Sequence, residues 1–562
     1  MRIKSVDDNF KKNSQIVGPY DSAVAASCIN GVFVGKNDDG VVAFKGIPFA
    51  EPPVGELRWK SPVSVSRKDE VFEAFYNGAS PLQSRSESER ASLFHQSEDC
   101  LYLNIWTAGK YAGEKRPVMV FIHGGAYGWG GTADPLYDGH NFVKNHPDIV
   151  LVTITYRLGI LGFMDFSGVP GGEDYKTGGN LGLLDQVEAL RYIKKNISSF
   201  GGDAENVTIF GESAGGGSVS LLPLIPEAKG LFKRVIAESG SLSLTYSPGE
   251  CMYLTDKLMK KTGAHSMEDL CALSEEQLKK VIDRFDDTNY PERDGVVLPQ
   301  DLYGAYKSGE ASHVDMIIGT NKDEMRYWIK DIGGLSIYKI CAYYMFENDS
   351  KKLGAGNKKR TKRFFKKHKE KNPLKTFLKK PWVITDLYNE IIFRLPAIRQ
   401  SEHQSDNGGK VYMYFWKYPS KHPHLGACHA VELAYVFGNL SETIYSGENI
   451  NAELSEKVQN MWANFARTGN PSIEGAEWEP YSSENRFTML LDDPISVGKD
   501  IRRYERKLLM PLTDNYYNGN HKEHSANIPF VYRNLFALTA FVAGGIGLLH
   551  LIRTEIKKRS SK

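Results

Sequence analysis

Phe210-Gly211-Glu212-Ser213-Ala214-Gly215-Gly216 sets a serine between glycines in a G-x-S-x-G pattern, directly after the apolar run Val207-Thr208-Ile209-Phe210. A serine at a sharp strand-to-helix turn sits on a strained backbone that only small neighbours permit, and its hydroxyl projects above the sheet edge as a nucleophile. A helix starting at Ala214 offers backbone N–H groups and a positive dipole end to a developing oxyanion. Three fixed positions in five arise by chance; the strand–turn–helix context is what gives the pattern weight. A second segment, His123-Gly124-Gly125-Ala126-Tyr127, follows the apolar run Val118 to Ile122. Its paired glycines let backbone amides approach a substrate oxygen without an intervening side chain. Gly124, Gly125 and Ala214 are therefore the expected oxyanion donors, and losing one such donor costs about 3–4 kcal/mol of transition-state stabilisation.

A serine nucleophile needs a base, and the base an orienting acid. Among fourteen histidines His429 fits best: the small residues Gly426 and Ala427 precede it, and the apolar run Leu433-Ala434-Tyr435-Val436-Phe437 anchors it from behind. His422 and His424, in a Pro-containing stretch, read as solvated. With the chain order serine, acid, histidine, the acid belongs to Met316-Ile317-Ile318-Gly319-Thr320-Asn321-Lys322-Asp323-Glu324, an apolar strand followed by a polar loop with two carboxylates. Residue types alone leave both Asp323 and Glu324 open.

The elements that must hold these groups alternate. Val118 to Ile122, Ile149 to Ile154 and Val207 to Phe210 read as buried strands, being continuous, apolar and rich in β-branched residues, and Leu184 to Asn196 reads as a helix lying on the sheet. This predicts an α/β fold with a large, mostly parallel sheet flanked by helices. The 562 residues are 41% hydrophobic and 25% charged, which excludes a disordered, collagen-like or disulfide-dense chain. A net charge of +2 argues against a nucleic-acid partner for the body. That average is uneven. Lys351 to Lys380 carries +13 and Arg553 to Lys562 carries +4, which leaves −15 on the remainder. The basic segment 351–380 is helix-compatible and reads as a solvated helix or a contact for anionic lipid headgroups.

Together the motifs resemble the type-B carboxylesterases, the cholinesterase-like branch of the α/β-hydrolases. The resemblance spans nearly all of residues 25 to 515. It rests on Phe44-Lys45-Gly46-Ile47-Pro48-Phe49-Ala50, Pro52-Pro53-Val54-Gly55, Leu57-Arg58-Trp59, Glu98-Asp99-Cys100-Leu101-Tyr102-Leu103-Asn104, Tyr156-Arg157-Leu158-Gly159 and Gly179-Asn180-Leu181-Gly182-Leu183-Leu184-Asp185-Gln186, besides the segments above. It implies Ser213 as nucleophile, His429 as general base and acid, and Glu324, which closes the G-x-N-x-D-E segment, as the orienting acid. Gly124, Gly125 and Ala214 would form the oxyanion hole. Glu212 resembles the family's buried glutamate, which tunes the site or serves as a structural hydrogen-bonding group. The implied reaction is hydrolysis of a carboxylic ester, on a small-molecule or lipid substrate, through an acyl-enzyme and with no cofactor or metal. Two alternatives accompany it, a non-catalytic cholinesterase-like binding domain and a thioesterase or neutral-lipid lipase. Trp129, Trp382 and Phe393 are candidates to line a pocket or to fill core.

Six thinly spread cysteines, none in a CxxC, fit a reducing compartment. Secreted members of the family pair the cysteine of the E-D-C segment with an earlier one. Here Leu82 stands near that place, which orphans Cys100. Ala264 removes a second family pairing, leaving Cys251 with Cys271 as a potential bridge. Residues 20–520 are expected to form the catalytic domain and 521–534 a linker. Leu535 to Ile552 carries no Asp, Glu, Lys or Arg and lies between Arg533 and Arg553. It is just long enough to span a bilayer, so 535–552 is expected as a transmembrane tail anchor and 553–562 as a basic tail. With no secretory signal at the N-terminus, the protein is expected to be membrane-associated with its catalytic domain in the cytoplasm.

Overall fold

Eleven strands form one sheet in the computed structural model, which describes residues 10–84, 94–109, 113–285, 287, 289–328, 355–369, 383 and 385–517. In chain order the strands are β1 (Ala25–Cys28), β2 (Asn30–Val34), β3 (Lys36–Asp38), β4 (Val41–Pro48), β5 (Lys68–Glu73), β6 (Tyr102–Ala108) and β7 (Arg116–Ile122). They continue with β8 (Val150–Ile154), β9 (Gly202–Glu212), β10 (Arg234–Glu238), β11 (Asp315–Asn321), β12 (Val411–Trp416), β13 (Phe487–Leu491) and β14 (Ser496–Lys499). Strands β1, β2 and β5 make a small separate sheet; the large one runs β14-β13-β12-β11-β10-β9-β7-β8-β6-β4-β3. From β13 to β8 every pairing is parallel, and the antiparallel pairings lie toward the two edges.

Alternation along β7 shows why the sheet must be covered twice. Val118, Val120 and Ile122 join one core, while Met119 and Phe121 join another on the opposite face. Helices supply both covers. Of these α1 (Leu181–Asn196), α2 (Ala214–Leu221), α3 (Ala355–Lys367), α4 (Leu395–Asp406), α5 (Leu433–Phe437), α6 (Ala452–Thr468) and α7 (Arg503–Tyr517) bear on the site. Leu183, Val187, Leu190 and Ile193 of α1, spaced as one helical stripe, enter the first core. Leu454, Val458, Met461, Trp462 and Phe465 of α6 enter the second. Asn451 caps α6 by accepting from the Leu454 amide, and Gly469 ends it at φ +78°.

Arg157 and Asp185 bind two of the sequence motifs into one unit. The guanidinium donates from Nε and Nη2 to the carboxylate at 2.8 and 2.7 Å, and the Arg157 amide adds a third bond at 3.0 Å. Nη1 donates to the Lys60 carbonyl at 2.7 Å, and both side chains are buried. Two residues on, the Gly159 amide donates to the Tyr127 carbonyl at 2.7 Å, so this brace abuts the glycine loop.

All five described cysteines, Cys28, Cys100, Cys251, Cys271 and Cys428, are free thiols. This corrects the expectation that left a Cys251–Cys271 bridge open. Cys251 is buried in the core, and the Cys271 sulfur instead meets the Tyr175 hydroxyl at 3.5 Å. Leu82 and Cys100 line the same small cleft, and Gln83 does the tying there. Its amide group donates to the Gly130 carbonyl at 2.8 Å and accepts from the Gly130 amide at 2.9 Å.

The expected helix in the basic segment is present as α3; Phe377, Leu378 and Trp382 lie outside the described residues, as do 521–534, 535–552 and 553–562. Among the described residues no helix is long and apolar enough to cross a membrane.

Removing one partner of a buried, hydrogen-bonded ion pair strands the other charge, at about 3–5 kcal/mol. Asp185→Ala is therefore expected to lower the unfolding free energy by about that amount, read from urea denaturation; a loss below about 1 kcal/mol would show that the brace is dispensable.

Candidate active site

The turn from β9 into α2 puts Ser213 at φ +57°, ψ −118°, a conformation that L residues rarely adopt. Neighbouring strands hold it there. The Ser213 amide donates to the Glu238 carbonyl at the end of β10 (2.8 Å), and its carbonyl accepts from Gly217 (2.9 Å). The next residue but one must be glycine, because a Cβ on Gly215 would lie 1.9 Å from the Ile122 carbonyl oxygen of β7.

Ile122 leads into the glycine loop. Gly124 approaches Ser213 closely enough that a Cβ on the glycine would sit 3.0 Å from the serine Cβ. Gly125, at φ +108°, turns the chain, and its carbonyl accepts from Gly128 and Trp129 at 2.9 and 3.0 Å. The amides of Gly124, Gly125 and Ala214 have no hydrogen-bond acceptor among the described residues. His123 underpins the loop from the buried side: its carbonyl accepts from Tyr156 Oη at 2.8 Å, and burial pushes its imidazole down to about 4, so it adds no charge.

At the ends of β11 and β12 the structure distinguishes the two candidate acids. Glu324 Oε2 lies 2.7 Å from His429 Nδ1, while Oε1 accepts from Ser239 Oγ (2.7 Å) and the Asn321 amide (2.6 Å). Asp323 faces away, pairing with Arg326 at 2.8 Å and accepting from the Ala427 amide at 3.0 Å, where it fixes the loop that carries His429. The Nδ1 contact leaves Nε2 as the reactive nitrogen. Nε2 lies 3.1 Å from Glu212 Oε1, beside Ser213 in the chain, yet the two are not aligned as a hydrogen bond and neither atom has another partner. His422 is tied to the Thr443 carbonyl at 2.7 Å and His424 is exposed, so neither competes.

Trp328 and Phe393 cover the His429 ring, with centroids at 4.7 and 5.1 Å. Phe393 was among the aromatic candidates in the sequence; Trp328, four residues past Glu324, was not. Trp129 is half-buried beside the glycine loop.

Three groups around the triad went unrecognised in the sequence, namely Ser239, Glu238 and Glu432. All three sit at or just past an element end that abuts β9 or His429, a placement that only the strand order discloses. Ser239 bridges the acids, donating to Glu324 and approaching Glu432 Oε1 at 3.5 Å. Glu432 Oε2 accepts from Asn321 Nδ2 at 2.5 Å, and Glu238 Oε1 from Trp462 Nε1 at 2.8 Å. Glu212, Glu238, Glu324 and Glu432 thus form a buried acidic cluster. Burial first, and then the negative charge of Glu324 and Glu238, hold the Glu212 carboxyl far above the usual carboxylate range. Burial, with Glu212, Glu238 and Glu324 as neighbours, does the same to Glu432. Glu324 is the member of the cluster whose carboxyl group faces the histidine, and it accepts from the Ser239 hydroxyl and the Asn321 amide.

Burial pushes Glu238 up to about 8 from an ordinary value of 4.5, against a smaller opposing effect of the Trp462 bond. The folded state therefore keeps a proton that the unfolded chain releases. This group's contribution is undiminished below about 4.5 and is lost as pH rises toward about 8. Glu238→Gln has nothing to titrate and retains an acceptor for Trp462. Its unfolding free energy should gain on wild type by roughly 1 kcal/mol per pH unit between about pH 5 and 8. A difference that stays flat over that range would refute the assignment.

Residues 22–508 match the carboxylesterase family. The chain is 35% identical over 514 residues to the para-nitrobenzyl esterase of Bacillus subtilis (strain 168), covering 85% of this chain and 96% of that protein. It is 33% identical over 521 residues to the human cocaine esterase, covering 83% and 86%. Among solved structures, a carboxylesterase of Geobacillus stearothermophilus superposes with a TM-score of 0.75 at 35% identity, covering 86% of this chain and 99% of that one. A strained serine on a strand-to-helix turn, a glycine loop beside it and a glutamate-held histidine thus coincide with a family match along almost the whole chain: this protein belongs to the carboxylesterase family and is a serine hydrolase that cleaves carboxylic esters.

Proposed function

We propose that Ser213, His429 and Glu324 are the catalytic triad and that the amides of Gly124, Gly125 and Ala214 form the oxyanion hole. The observation that carries this reading is the 2.7 Å bond from Glu324 to His429 Nδ1, which leaves Nε2 without a hydrogen-bond partner, 3.1 Å from Oε1 of Glu212, the residue that precedes Ser213. Nε2 takes the Ser213 hydroxyl proton as Oγ attacks the ester carbonyl. The three amides receive the oxyanion, and Nε2 then protonates the departing alcohol. Water repeats the sequence on the acyl-enzyme and releases the acid. A hydrogen bond from serine to histidine that forms only with substrate is usual for an unliganded hydrolase. Burial and the neighbouring carboxyl groups disfavour a charge on Glu212 beside Nε2, which leaves Glu324, on the Nδ1 side, as the partner of the imidazole. The aromatic cover of Trp328 and Phe393 favours an apolar group near the reacting carbonyl.

We further propose that 535–552 inserts as a tail anchor and leaves the catalytic domain in the cytoplasm. Its support is the eighteen-residue run without Asp, Glu, Lys or Arg between Arg533 and Arg553. A membrane location would bring lipid esters within reach alongside small-molecule ones.

Hydrolysis of a p-nitrophenyl ester series tests the triad. Ser213→Ala should lose about a millionfold in kcat. Glu324→Gln should lose about ten-thousandfold, because the amide leaves the wrong imidazole tautomer in place. A folded Ser213→Ala variant that retains wild-type turnover would overturn the assignment. The chain length with the highest kcat/KM would size the acyl pocket.

A further inference from the structure

Helix α3 has two unlike faces. Phe364 is fully buried against the core that α7 also joins, the Arg360 guanidinium donates to the Leu508 carbonyl at 3.3 Å, and Lys367 pairs with Glu505 at 2.5 Å over the Tyr504 ring. These contacts clamp α3 onto α7. The opposite face carries Lys359, Lys362, Arg363 and Lys366, spaced i, i+3, i+4 and i+7. All four are exposed, and none has an ion pair or hydrogen bond from its side chain among the described residues. The rest of the chain, outside its two basic segments, carries a net charge of −15, yet among the described residues no acid pairs with this stripe.

Two observations say what covers it. First, α7 is the last described element, ending at Tyr517, and seventeen residues separate it from Leu535. Fully extended, that stretch reaches at most about 60 Å, so the cationic stripe of α3 is clamped onto α7, the helix from which the chain departs toward its apolar segment. Second, α3 lies on the side of the proposed catalytic centre. It contacts Tyr504 and Glu505 at the start of α7, next to Arg502, which pairs at 2.6 Å with Glu390 Oε1, three residues before the Phe393 that covers His429. A flat, anionic, extended surface would satisfy four cations in a row along a helix face.

We propose that the Lys359–Lys362–Arg363–Lys366 stripe is the docking face through which the catalytic body lies on the anionic headgroups of a bilayer. The proposal rests on the tail-anchor reading, and it adds an orientation: α3 and the neighbouring site, rather than the far edge of the sheet, face the lipid.

The test adds purified full-length chain to preformed vesicles of phosphatidylcholine alone or with about 30% phosphatidylserine, and compares wild type with a variant carrying Lys359→Gln, Lys362→Gln, Arg363→Gln and Lys366→Gln. Because all four side chains are exposed and unpaired, turnover of soluble p-nitrophenyl acetate should be unchanged and reports that the variant is folded. Wild type should partition at least about tenfold more strongly onto the phosphatidylserine vesicles, and this preference should vanish in the variant and at about 0.5 M salt. A variant that keeps the preference, or a wild type that shows none, overturns the docking face. Binding to phosphatidylcholine alone reads the apolar segment separately. Its absence in both proteins would refute the anchor while the phosphatidylserine preference still decides the stripe. A wild type that binds a short RNA as tightly as the phosphatidylserine vesicles, with both lost in the variant, would mark the stripe as a non-specific polyanion contact and overturn the proposal.

Discussion

Everything at the centre of this molecule depends on one backbone reversal. At Ser213 the chain leaves the end of β9 in a conformation that costs of order 1–3 kcal/mol, and it is held there by strands that are not its neighbours in sequence. The carbonyl of Glu238 takes the serine amide from one side, and the carbonyl of Ile122 stands against Gly215 on the other. The strain persists because β7, β9 and β10 are already fixed by parallel pairing and by cores on both faces of the sheet. The same two strand ends also supply the glycine loop and Ser239. One tight packing problem therefore fixes Ser213, the glycine loop and the support of Glu324 together.

The buried carboxyl groups follow from that arrangement. Parallel strands end on one edge of the sheet, so the polar residues needed for chemistry converge at low dielectric, where four negative charges could not coexist. The structure separates them by hydrogen bonding. Glu324 receives the Ser239 hydroxyl and the Asn321 amide, and stays the partner of His429. Burial and the other carboxyl groups raise the proton affinity of Glu212 and Glu432. A single carboxylate is thereby assigned to the histidine by the placement of its donors rather than by the number of acids present.

The elements that carry the chemistry were largely legible. Val118 to Ile122, Val207 to Phe210 and Met316 to Ile318 read as buried strands because they are short, continuous and apolar, and each lies within an observed strand. Ser213, His429 and the glycine pair were visible because their local patterns, a small-residue turn after such a strand or a histidine ahead of an apolar run, have few other uses. Choosing Glu324 over Asp323 required the family resemblance, since adjacent residues of one loop differ only in where they point. Ser239, Glu238 and Glu432 were not legible, because their relevance comes from strand order, which no local window contains. The potential Cys251–Cys271 bridge failed for a related reason: two cysteines twenty apart say nothing of burial, and one of them is locked in the core.

Gln83 stands beside the place where a covalent bridge would otherwise close the chain, and it fastens that segment to Gly130 of the oxyanion loop through a reciprocal pair of amide hydrogen bonds. A bridge of that kind fixes a loop only while the surroundings keep it oxidised. Here the wall of the active site is closed by bonds that re-form on their own each time they break. The hold of Gln83 on Gly130 asks nothing of a thiol, so this tie does not depend on the oxidation state of sulfur.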